Sequence, residues 1–133
     1  MRAKDGGKAC IAATWHETFV SGTHDRPSGQ VRPLWEAMHD MGGDLVLAGH
    51  DHHYERFARL GCSGTASASG MRQFVVGTGG KSLAGFNHVL SGSQVRHRAY
   101  GVLAVDLKAG GYSWRFHSVP GTNFSDSGQE SCR

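Results

Sequence analysis

The run Leu45-Val46-Leu47-Ala48 places four apolar residues in succession, and directly behind it stand Gly49, His50, Asp51, His52 and His53. A short branched run of this kind has the length of a buried strand, so the histidines fall where a strand ends. In an extended or turning backbone residues i and i+2 point the same way. His50 and His52 are therefore expected to aim at one point, with Asp51 and His53 aimed elsewhere. Two converging imidazoles make half of a site for zinc, iron, manganese or copper. Gly49 is expected to supply the tight turn before the first ring. On spacing alone, a His-x-His pair is more often surface or hydrogen-bonded histidine than a ligand pair. The strand end, and two further histidines at His16 and His24, shift that balance toward metal.

The chain on either side fits one local architecture. Residues 9–14 form a second short apolar run that ends at Trp15-His16, so His16 is also a strand-end histidine. A polar loop over 17–29 carries His24 and is long enough to fold over a cleft. Val31, Leu34, Trp35, Met38 and Met41 then recur at helical spacing, with Pro33 in the first turn and Gly42-Gly43 as the stop, which predicts a helix of about three turns. Strand, helix, strand is the βαβ unit, whose right-handed crossover makes the strands parallel and leaves both carboxyl ends on one edge. His16, His50 and His52 are thus expected on one rim. Further on, 54–60 and 71–77 read as strands separated by a Gly/Ser/Ala-rich loop, and Thr78-Gly79-Gly80 is expected to approach the same rim. The stretch through His88 and His97 shows no pattern. A hairpin over 100–107 and 112–119 is the clearest later element, and the tail from Pro120 is expected to pack as irregular chain.

Composition sets the outer limits. With 133 residues the chain suits one domain, 1–133, and its 20 glycines make it loop-rich. No apolar run approaches the roughly 18 residues needed to cross a bilayer, so no membrane partner is expected. Residues 1–8 show no apolar leader of the kind an export signal carries. A net charge of +3 is spread through loops without a basic stripe, which argues against nucleic acid and only weakly for anionic substrates. Cys10, Cys62 and Cys132 lack C-x-x-C spacing, which removes a zinc ribbon. Cys10 is expected as a small apolar residue opening a buried strand, whereas Cys62 and Cys132 read as surface cysteines that an exported protein could pair.

The segment Gly49-His50-Asp51-His52 with Tyr54-Glu55-Arg56 resembles the last metal-binding motif of the calcineurin-like metallophosphoesterases, and its Tyr-Glu-Arg extension resembles the purple acid phosphatase branch. Four other segments match in order: Thr14-Trp15-His16, Ser21-Gly22-Thr23-His24, the stretch from Gln73 to Gly80, and Phe124-Ser125-Asp126-Ser127-Gly128. The likeness spans nearly the whole chain but corresponds to the second half of such an enzyme. It implies an α/β fold, the carboxy-terminal half of a β-sandwich flanked by helices, with one βαβ unit followed by mainly antiparallel strands. It also implies hydrolysis of a phosphate monoester, and of a diester in some relatives, by a metal-activated hydroxide at a dinuclear site. His16 and His50 would bind one metal and His52 the other, the pair being drawn from Fe, Zn or Mn. His24 would hold the phosphate or protonate the leaving oxygen. The remaining ligands, including a bridging aspartate and an asparagine, would come from an upstream half of the same enzyme. The branch resembled is usually exported, to the periplasm or the cell exterior.

Other residues of the motif have structural roles as their first reading. Asp51 is expected as a supporting carboxylate, and Glu55 and Arg56 as hydrogen-bond or ion-pair partners of the loop. His39, His53, His88, His97 and His117 are read as ordinary histidines. Glu17 stands where relatives in the exported bacterial branch often carry a second histidine, which leaves the leaving-group acid open. Two alternatives accompany the phosphoesterase: a catalytically silent metal-binding fragment using His16, His50 and His52, and an unrelated mononuclear zinc hydrolase, for which no general-base carboxylate is evident near the ligands.

Overall fold

A computed structural model describes residues 9–133 of the chain; the leader expectation for 1–8 lies outside the described residues. In chain order the elements are β1 (Ala12–Trp15), α1 (Arg32–Asp40), β2 (Leu45–Ala48), β3 (Tyr54–Leu60), β4 (Met71–Val76), β5 (Ser93–His97), β6 (Gly101–Lys108), β7 (Gly111–Ser118) and β8 (Ser125–Ser131). Five strands form one sheet in the order β1-β2-β4-β3-β5, and the other three form a second sheet, β6-β7-β8. Within the first, β1, β2 and β4 run parallel while β3 is antiparallel to both β4 and β5. The second sheet is antiparallel throughout.

The β1–α1–β2 crossover follows the hydrophobic pattern, but the α/β sandwich flanked by helices does not form. The fold is mostly β, with two sheets and, among the described residues, α1 as the one helix. The reason lies in what covers each face of the large sheet. Trp35 and Met38 of α1 pack with Phe19 and Val31 over Val46, Phe57, Leu60 and Val75 on one face. On the other, Tyr112, Trp114 and Phe116 of β7 pack over Leu45, Tyr54 and Phe74. A second sheet thus occupies the layer that flanking helices would take. Burial on both faces also explains why β2 reads as an unbroken apolar run instead of alternating.

The helix is shorter than its pattern. Leu34 and Met41, both counted in the apolar stripe, are exposed, and the chain leaves α1 through Gly42 at φ +76°. Two later segments read as irregular are strands. The patternless stretch before His97 contains β5, paired with β3. The tail contains β8, paired with β7 along its whole length.

Strand β8 is held to the large sheet by charge. Asp126 accepts hydrogen bonds from the Tyr54 hydroxyl and Arg56 Nε, both at 2.7 Å, and Glu130 pairs with Arg59 and Arg72 at 3.0 Å each. The guanidinium carbons of Arg56 and Arg72 lie 5.2 and 5.1 Å from the Trp114 ring centroid. Gly128 sits under that indole, where a Cβ would overlap the ring. Burial works against charge on Asp126, but the hydrogen bonds from Arg56 and Tyr54 outweigh it and hold the carboxyl below its ordinary range. Glu130 follows the same balance, with Arg72 and Tyr112 as its donors.

Cys10 and Cys132 form a disulfide with 5.4 Å between Cα atoms, and Cys62 is free. The pair is therefore not the Cys62–Cys132 bond that an exported protein could form, and Cys10 is more than a plain apolar residue. The bond ties the segment before β1 to the residue after β8. Arg133 extends the tie, its backbone N–H donating to Asp44 Oδ1 and its Nε to the Gly43 carbonyl, both at 2.7 Å. No helix among the described residues is long and apolar enough to cross a membrane.

Candidate metal centre

The last paired residues of the parallel strands, Trp15 and Ala48, bring His16 and the histidine segment to one rim. Gly49 N–H donates to the His16 carbonyl at 3.0 Å, extending the ladder by one bond. The turn itself is made by His50, not Gly49: His50 has φ +52°, the left-handed region that non-glycine residues seldom occupy. Asp51 N–H then bonds the Gly49 carbonyl at 2.6 Å and His53 N–H the Asp51 carbonyl at 2.9 Å, folding the chain back into β3. Gly77, just past β4, allows this turn to sit against the sheet, since a Cβ there would overlap the Asp51 carbonyl.

His50 Nδ1 lies 3.1 Å from His16 Nε2, with the rings edge to face. Glu17 Oε1 lies 3.3 Å from the same His50 nitrogen, and the side chains of His50 and Glu17 are 45% and 44% exposed. One ligand-capable atom from each of His16, Glu17 and His50 falls within 4.8 Å of the others. His52 is not in that group. Its Nδ1–H donates to the Ser82 carbonyl at 3.0 Å, which leaves Nε2 as the ring nitrogen available to a ligand. The left-handed His50 breaks the i, i+2 alternation that would aim both rings at one point. His24 is exposed and lines a cavity of about 520 Å³ together with Glu17, Arg26, Gln30 and His50.

The residues behind the rim hold three loops together. Asp51 is buried and accepts hydrogen bonds from Thr18 and Thr23 hydroxyls at 2.9 Å each. Its burial opposes the charge, yet hydrogen bonds from Ser21, Thr23 and Thr18 prevail and keep its pKa below the ordinary value. Glu55 is fully buried and accepts from Gly22 N–H at 2.8 Å and Ser93 Oγ at 2.5 Å. His53, also fully buried, sets Nε2 at 3.3 Å from Glu55 while Nδ1 has no hydrogen-bond partner among the described residues, and its ring centroid lies 4.3 Å from that of Phe86. In the sequence His53 reads as an ordinary histidine. Its signal was there in the alternation, which turned Asp51 and His53 away from the rim and so into the interior.

The segment 79–92 is anchored mainly through backbone. Ala84 N–H donates to the His52 carbonyl at 2.8 Å, and Asn87 and His88 N–H donate to the Gly22 carbonyl at 2.8 and 2.9 Å. Thr78 bonds the Gly101 carbonyl at 2.8 Å, turning this end of β4 toward β6. Cys10, Asp44 and Cys132 also cluster, but two sulfurs joined to each other offer no thiolate to a cation. Compared with known protein families and with curated proteins, the chain matches no family model and no curated sequence.

Proposed function

We propose that this rim is the metal-binding part of a phosphoesterase centre, with a phosphate ester seated in the adjoining cavity. The observation that carries the reading is the convergence of His16 Nε2 and His50 Nδ1 at 3.1 Å on the carboxyl edge of two parallel strands. The phosphate assignment rests on the resemblance of the five segments, and the cavity adds His24 and Arg26 as groups suited to an anion.

The donors fit one ion. A second, which the resemblance implies, would find only His52 Nε2 among the expected histidines. The described residues then amount to part of a dinuclear centre, its other ligands belonging to an upstream half of the enzyme. A bound Fe, Zn or Mn ion would supply a Lewis acid that polarises a phosphoryl oxygen and acidifies water. The chain's own residues do the rest. His16 and His50 hold the ion, and His24 in the cavity holds the phosphate or delivers a proton to the leaving oxygen. Asp51 fixes the loop that carries His24 through Thr18 and Thr23.

The test is metal content of the purified chain after dialysis against sub-stoichiometric chelator, read beside hydrolysis of p-nitrophenyl phosphate, for the parent and His50→Ala. Retained metal in the parent and its loss in His50→Ala support the site; equal metal in both rejects it. Metal without hydrolysis is the result expected of half a centre and equally of the second reading, a catalytically silent metal-binding fragment, which the single converging donor group also accommodates; hydrolysis by the parent and its loss in His50→Ala would reject that second reading.

A further inference from the structure

We propose that Glu17 is a metal ligand, and that His16, Glu17 and His50 form a three-donor site for one divalent cation with open positions toward the cavity. The proposal rests on the reading that a metal binds at this rim, and it departs from the ligand set that the resemblance implies.

The two spacings at His50 Nδ1 are those of neighbouring donors in a coordination shell. With metal–nitrogen and metal–oxygen bonds of about 2.0–2.2 Å, neighbouring donors stand roughly 3.0 Å apart in an octahedron and roughly 3.4 Å in a tetrahedron. The contacts at His50 Nδ1 are 3.1 Å to His16 and 3.3 Å to Glu17.

No two-centre hydrogen bond satisfies both contacts, and a single hydrogen shared between them would serve each only weakly. An imidazole Nδ1 carries at most one hydrogen. If it points at His16 Nε2, Glu17 Oε1 is left without a hydrogen from that nitrogen. If it points at Glu17, the two ring nitrogens face each other without a shared hydrogen. If His16 donates instead, the Glu17 carboxylate faces the lone pair of His50. A cation between the three donors satisfies all of them at once. It also gives a use to the left-handed backbone of His50, a conformation that costs on the order of 1–3 kcal/mol and tends to gather at binding sites.

Two imidazoles and one carboxylate with open positions suit zinc, and equally iron(II) or manganese(II), for which the carboxylate is the harder donor. Exposure of nearly half of both the His50 and Glu17 side chains leaves room for water or a phosphate oxygen as further ligands. Glu17 would thus set both the charge of the centre and its preference among ions.

Zinc(II) and manganese(II) are titrated calorimetrically into the parent, Glu17→Gln, Glu17→His and His50→Ala, with circular dichroism reporting the fold of each. The expected result is one ion per parent chain and a loss of about 100-fold or more in affinity for Glu17→Gln, beyond the 10–100-fold typical of an outer partner. Glu17→His should recover zinc but not manganese, because it restores a nitrogen donor without the hard oxygen. Parent-like affinity in Glu17→Gln, with metal lost in His50→Ala, would overturn the role of Glu17 and leave the site standing. A parent that binds neither ion would overturn the site as well.

Discussion

Replacing Cys132 with serine removes the covalent tie between the start of the large sheet and the end of the small one. The closed loop spans a sequence separation of 122, so reopening it returns conformational freedom to nearly the whole unfolded chain. On the chain-entropy account a loop of this size is worth about 5 kcal/mol at 25 °C. Total stabilities of domains run to about 5–15 kcal/mol, so the variant should sit near the edge of folding. Urea unfolding followed by the fluorescence of Trp15, Trp35 and Trp114 measures it directly. With a denaturant dependence of about 1–3 kcal/mol per molar, the midpoint should fall by about 2 M or more. The parent treated with a thiol reductant should move to the same midpoint, and thiol titration of the untreated parent should find one reactive group, Cys62. A variant that unfolds with the untreated parent, or three titratable thiols in that parent, would refute the reasoning.

The ionic attachment of β8 gives a pH dependence. Asp126 and Glu130 have folded-state pKa values below their ordinary 3.8 and 4.5, so their contribution is complete above those values and is lost as pH falls through the lower folded-state ones. The double variant Asp126→Asn, Glu130→Gln should be less stable at pH 7 and flatter below pH 4.5, read as the urea midpoint at each pH. Glu55→Ala strips a buried acceptor from Gly22, Ser93 and His53 and should cost about 3–5 kcal/mol in thermal or urea unfolding; a cost under about 1 kcal/mol would show that these groups find other partners. His52→Ala should leave one ion bound with parent-like affinity, since His52 stands outside the converging donors; loss of that ion by elemental analysis would bring His52 back into the same shell.

What the sequence made legible was apolar. The crossover of β1, α1 and β2 follows from runs and periodicity, and with it the meeting of His16 and His50 on one edge. What it hid was polar. The core-facing positions of β8 are Asp126, Gly128 and Glu130, whose partners are arginines and a tryptophan face, so a search for buried hydrophobic alternation passes over the strand. The same blindness concealed β5, whose residues are Ser93, Gln94, Val95, Arg96 and His97. The α/β sandwich flanked by helices rests on the resemblance alone, and the polar strands β5 and β8, invisible to hydrophobic patterning, help make the fold mostly β instead. At the rim, the i, i+2 rule assumed an extended backbone, and a single left-handed residue at His50 separated His52 from the pair. In the sequence Glu17 stands out only as a residue in place of histidine, because its nearness to His50 depends on the turn after β1.

The bonds that hold 79–92 over the rim come largely from main-chain atoms: Ala84 to His52, and Asn87 and His88 to Gly22. A peptide N–H is the same in every residue but proline, so the geometry of these anchors does not depend on which side chains the segment presents. Lys81, Asn87, His88 and Val89 are all exposed. Exchange at these positions therefore varies the surface beside the rim while the histidine turn keeps its shape, which makes the segment a place where drift or directed evolution can change that surface without rebuilding the turn.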